Sequence, residues 1–105
     1  MPFRVFLSPQ ARADIDSAVT WLARADKTVA ARWRAGLLSV IADLETNPTK
    51  YPPADEAADL GVDLRVRPYG RRRGVYRVLF VLEADVVNVL RVYHSARDRL
   101  TSDDI

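Results

Sequence analysis

Six side chains of this sequence could do chemistry at close quarters: Arg71, Arg72, Arg73, Arg77, Tyr93 and His94. The first four belong to the string GRRRGVYRVLF (Gly70 to Phe80), where three arginines stand between two glycines and a fourth lies among Val75, Leu79 and Val81. A guanidinium is a planar fork of donors that grips a carboxylate or phosphate in two places at once. It keeps its proton at neutral pH, so it can anchor an anion but cannot act as a base. Tyr93 and His94 are the residues that could move a proton. Histidine titrates near neutrality, and a tyrosine can donate a proton or stack on a base. Each also has a structural reading: His94 as a hydrogen-bonding residue at a strand end, Tyr93 as a packing residue on a strand face. Asp14 and Asp16 are not a catalytic dyad, because residues two apart on a helix do not face each other.

The rest of the composition narrows the chemistry. The chain has 105 residues, no cysteine and one histidine. That excludes a disulfide framework, a thiol nucleophile and a thiolate or histidine-rich metal site. No cofactor is expected. The opening MPFRVFLSPQ has no charged head followed by a long apolar run, so no signal peptide is expected, and no apolar stretch approaches transmembrane length. A cytoplasmic protein is the expectation. The formal net charge of +2 hides a polarised chain. Residues 1–63 carry seven basic and nine acidic side chains, whereas residues 64–99 carry nine arginines against three acids. Arg65, Arg67, Arg91 and Arg97 join Arg71, Arg72, Arg73 and Arg77 as candidate contacts to an anionic partner. An internal alternative stays open: the acidic connector from Asp55 to Asp63 neutralises these arginines within the fold.

These residues must be positioned by a single domain, residues 1–105. Phe3–Leu7 reads as a strand. Ser8 is an N-cap and Pro9 a first helical residue. Ala11, Ile15, Ala18, Val19 and Leu22 then form one apolar stripe with Trp21 beside it. After a polar break at Asp26–Thr28, a second helix runs from Val29 to about Thr46. Ala30, Trp33, Leu37, Val40, Ile41 and Leu44 mark its buried face. The short break predicts an antiparallel helical hairpin, and Trp21 and Trp33 are its core or interface residues. An irregular acidic connector with Pro52 and Pro53 leads to Leu64–Tyr69, which Pro68 confines to an edge or a strand end. Gly74–Leu82 is apolar on both faces, as a central strand is. Glu83–Asp85 is a turn and Val86–His94 the return strand. The order β-α-α-β-β-β predicts an α+β fold, a helical hairpin packed on one face of a small antiparallel sheet. The other face, bearing arginines, is expected to stay available, or else to be covered by the tail, a second subunit or a partner segment.

The order and three strings, FLSPQARADID, GRRRGVYRVLF and VVNVLRVYHSARD, resemble the ParE/RelE superfamily of toxins from toxin–antitoxin systems. YRVLF followed after a short turn by VLRVYHSARD is most similar to the ParE branch. The resemblance implies a small toxin held inactive by a cognate antitoxin, ParD-like or of another type, in a heterotetramer or higher complex, in the setting of plasmid stabilisation. It also implies one of two targets. ParE-type toxins act on DNA gyrase, and RelE-type toxins cleave mRNA on the ribosome without a metal. Trp21, Trp33, Arg73, Val75 and Arg77 are the residues expected to meet an antitoxin.

Metal-free RNA cleavage needs a base, a cation on the phosphate and an acid. Arg77 stands where the RNA-cleaving branch carries a phosphate-binding arginine. That branch carries lysines on the preceding strand, where this chain has Arg65 and Arg67. Only Tyr93 and His94 remain to move protons. Their use depends on register. A three-residue turn at Glu83–Asp85 sets Arg77 opposite Arg91, with Tyr93 on the same face. A two-residue turn sets Arg77 opposite Val92 and brings His94 onto its face. The poor supply of bases favours a gyrase inhibitor acting by binding. An mRNA endoribonuclease using Arg77, Tyr93 and His94 is the second reading, and a non-toxic binding module for an acidic partner the third.

Overall fold

The computed structural model describes residues 2–71, 74–94 and 100–104. Strand β1 (Arg4–Leu7) leads into helices α1 (Pro9–Ala23) and α2 (Lys27–Ala42). A short helix α3 (Ala57–Leu60) interrupts the connector, and strands β2 (Leu64–Tyr69), β3 (Tyr76–Glu83) and β4 (Val86–His94) follow. The helix starts are built from local chemistry. The Ser8 hydroxyl accepts the Ala11 amide and Pro9 stands in the first turn of α1. The Asp26 carboxylate accepts the amides of Thr28 and Val29, so the polar break is itself the N-cap of α2. Helix α2 ends at Ala42 and tightens into a 3-10 turn at Asp43–Glu45, earlier than its apolar spacing suggests.

The sheet order is β1-β4-β3-β2. The last three strands form the expected antiparallel meander, with the apolar β3 in its interior. The first strand joins it, but parallel to β4, so the sheet is mixed. From β1 the chain passes through the helical hairpin and the connector to β2 at the opposite edge of the sheet, and the meander then brings β4 back beside β1.

Two apolar clusters face each other across the sheet. On the helix side, Ala11, Ile15, Leu37, Ile41 and Leu44 pack on Val78, Phe80, Val87, Val89 and Val92. On the other side, Ala54, Leu64, Leu79, Tyr93 and Leu100 form a second cluster, joined by Ala57, Leu60, Val62, Val66 and Val81. The expectation that this second face stays open is therefore corrected. The connector and the segment around Leu100 cover it. An apolar β3, with both Phe80 and Leu79 wholly buried, leaves the chain no cheaper way to shield Leu79 and Val81 from water.

Both registers considered for the last hairpin are also corrected. The turn has two residues, Ala84 and Asp85, with Ala84 in the left-handed region at φ 53°. A β-bulge then intervenes: Phe80 pairs with Val89, Leu79 with Arg91, and Leu90 is the extra residue. Past the bulge, Arg77 stands opposite Tyr93 and Tyr76 opposite His94.

Candidate functional site

The site begins with a mismatch in strand length. β1 covers β4 only from Val86 to Val89, so on the side away from β3 the edge of β4 from Leu90 onward has no neighbouring strand among the described residues. The entry to α1 takes its place. The Ser8 amide donates to the Val89 carbonyl at 2.9 Å, and the Ser8 hydroxyl donates to that of Leu90 at 2.7 Å. The Val92 amide donates to Asp14 Oδ2 at 2.9 Å. The same carboxylate takes a two-point grip from Arg91, Nε to Oδ2 at 2.8 Å and Nη2 to Oδ1 at 2.7 Å. The remaining Nη1 donates to Asp104 Oδ1 at 2.7 Å. Arg91 also lies over the Tyr93 ring, 4.5 Å from its centroid. Its hydrogen bonds to Asp14 and then to Asp104 outweigh burial and hold it charged at any working pH. Burial first, and Asp104 after it, push the Tyr93 hydroxyl up to about 12 against the pull of Arg91.

Along this joint, between α1 and the end of β4, lies a groove of about 360 Å³. Asp14, Ser17, Trp21, Tyr76, Arg91, Tyr93 and His94 line it. Trp21 is 60% exposed although it is a large apolar ring. Tyr76 connects the groove to the interior: its ring meets His94 edge to face at 5.2 Å and Trp33 at 5.0 Å. Trp33 in turn packs on Tyr69, whose hydroxyl donates to the Trp33 carbonyl. Gly36 allows that approach, since a Cβ there would strike the Tyr69 hydroxyl.

The other arginines are placed differently. Arg77 points to the tail-covered face and donates through both terminal nitrogens to Glu56, each at 2.9 Å. Glu56 is 1% exposed and also accepts the Leu100 amide at 3.0 Å. Its bonds to Arg77, with help from Leu100, overcome burial and pull its pKa from 4.5 to about 2. Arg65 and Arg67 sit on the opposite sheet face from Arg77, because they pair with Phe80 and Val78. Arg65 is tied to Asp63 and to the carbonyls of Thr49 and Tyr51. Arg67 lies over the Tyr51 ring and donates to the Pro68 carbonyl. Arg71 is exposed in a loop that Gly70, at φ 111°, lets turn. Arg72, Arg73 and Arg97 lie outside the described residues. Val75 is half-buried beside that loop.

The structure thus brings Tyr93, His94, Arg91 and Trp21 together and separates them from Arg65 and Arg67. Arg77 and His94 turn to opposite sides of the sheet, since their strand neighbours alternate and Tyr76 takes the place opposite His94. Asp14, Ser17, Glu56, Tyr76 and Asp104 were missed in the sequence as site residues. Asp14 carried a signal: it lies three residues after Ala11 and four before Ala18, on the buried stripe. Among the described residues no group of His, Cys, Asp or Glu could hold a metal ion.

A family model described as "ParE toxin of type II toxin-antitoxin system, parDE" matches residues 5–99. The chain belongs to this ParE toxin family. It is therefore the toxin type of a type II toxin–antitoxin system, and the family implies an antitoxin as partner. No curated protein matches the chain. As a ParE-family chain it carries its aromatic groove inside the matched span, while Leu100 and Asp104 lie beyond it. No helix among the described residues is long and apolar enough to cross a membrane.

Proposed function

We propose that this chain is a cytoplasmic toxin that inhibits DNA gyrase by binding, and that a cognate antitoxin neutralises it. The observation that carries this reading is the engagement of Arg77 by Glu56. The cation that would steady a scissile phosphate is already held, at two points, by a buried carboxylate of the same chain. His94 faces away from it, and the hydroxyl of Tyr93 is pushed further from neutrality. A charge relay for RNA cleavage needs these three groups around one phosphate. What the chain offers instead is a preformed aromatic groove with an exposed tryptophan, which is the anatomy of a binding anchor.

The test is a supercoiling assay with purified gyrase and purified, antitoxin-free chain. Inhibition that saturates with added chain, and is reversed by antitoxin, is expected. Full supercoiling at saturating chain would contradict the proposal. Ribosome-dependent mRNA cleavage that disappears in His94→Ala would support the endoribonuclease reading instead. Harmless overexpression would favour a binding module.

A further inference from the structure

We propose that Asp104 is an internal stand-in for a carboxylate of a partner protein, and that an acidic partner segment takes its seat on Arg91 and Tyr93. The seat is asymmetric. Asp14 holds Nε and Nη2 of Arg91 from α1, an element fixed in the main core. Asp104 holds the remaining Nη1 at 2.7 Å and accepts from the Tyr93 hydroxyl at 3.3 Å. It does so from a short 3-10 turn, Ser102–Asp104, whose own residues are not part of either apolar cluster. Among the described residues of this segment, Leu100 is the one that packs in the core, with its amide on Glu56. Asp104 also accepts the amide of Thr101 at 2.9 Å, so the turn is held largely by this one side chain. Replacing Asp104 by another carboxylate leaves Arg91 paired and Tyr93 satisfied. The exchange therefore exposes no bare buried charge, the usual cost of opening such a pair.

The chemistry of the seat favours a carboxylate over a phosphate. Arg77 and Arg91, both half-buried, each grip a carboxylate through two nitrogens, Glu56 and Asp14 respectively. Arg91 and Tyr93 also line the groove that holds Trp21, so an acidic residue on this seat can carry an apolar neighbour onto the indole. This inference rests on the reading of the chain as a partner-controlled toxin, but its test involves neither gyrase nor a cell.

The full-length chain is titrated with an acetylated hexaglutamate peptide and, separately, with a hexathymidine oligonucleotide, following tryptophan fluorescence. Asp104→Asn is expected to bind the peptide at least tenfold more tightly than the unaltered chain, and Arg91→Lys in the same background to lose that gain. A second readout uses the unaltered chain. Saturating peptide should speed hydrogen exchange at the Thr101 amide while the Val92 amide stays protected. Equal peptide affinity with and without Asp104, unchanged Thr101 exchange, or a larger gain for the oligonucleotide would each overturn the proposal.

Discussion

Glu56 shows how much one side chain can decide. A carboxylate with 1% exposure survives in the interior because Arg77 and the Leu100 amide replace its water. Its depressed pKa means that it stabilises the fold fully above the ordinary value of 4.5, and that this contribution is lost as pH falls towards about 2. Urea unfolding should show a stability decline of about 3 kcal/mol across that interval. Glu56→Gln should cost about 3–5 kcal/mol at pH 7 and flatten the acid dependence. An unchanged pH profile in the variant would rule out Glu56 as its source. Asp14 works in the same way at the β4 edge. Asp14→Asn should cost about 2–4 kcal/mol, because it sets an amide against the Arg91 fork and the Val92 amide. At this scale the sequence was legible for capping and for charge. The N-cap Ser8 was read from local rules, whereas Asp26 was read only as part of a polar break and proves to cap an α2 that starts at Lys27 rather than Val29. The arginine-rich half promised ion pairs. Which carboxylate meets which arginine was not legible, because Arg77 and Glu56 are 21 residues apart and meet only through the folded connector.

Among the elements, β4 has most influence on the site. The helices and strands could be read from apolar spacing, since α1 and α2 keep one buried stripe and β3 is apolar on both sides. The extra residue at Leu90 could not be read, because β4 carries apolar residues on both faces around it and so shows no clear break in alternation there. It nonetheless decides the site: it turns Arg91 towards Asp14 and sets His94 beside Tyr76. Deleting Leu90 should straighten the ladder, reverse the faces of residues 91–94 and lower the urea midpoint well beyond the effect of Leu90→Ala. Equal midpoints for the deletion and the alanine variant would show that the bulge is not what sets these faces. The parallel pairing of β1 was equally hidden, since a four-residue strand carries no mark of its direction.

For the whole molecule, the sheet is a middle layer. The helical hairpin closes one face, and the connector with Leu100 closes the other. Leu100 is 3% exposed, so Leu100→Ala should cost about 2–4 kcal/mol by chemical denaturation, as for any core leucine. A cost below about 0.5 kcal/mol would mean that the second face is not closed in solution. This layering moves the contact surface. Among the described residues, Arg65, Arg77 and Arg91 are engaged by carboxylates of the chain itself, and the aromatic groove beside α1 is the contact surface we propose for a macromolecule. Trp21→Ala separates these roles, because its ring is largely in solvent and its loss should change stability by no more than about 0.5 kcal/mol. The most direct measurement is the concentration of chain that halves gyrase supercoiling, compared between the unaltered protein and Trp21→Ala. Inhibition by the unaltered chain is expected, with at least a tenfold higher concentration needed for the variant. No inhibition by the unaltered chain, or equal potency for the two, would contradict it.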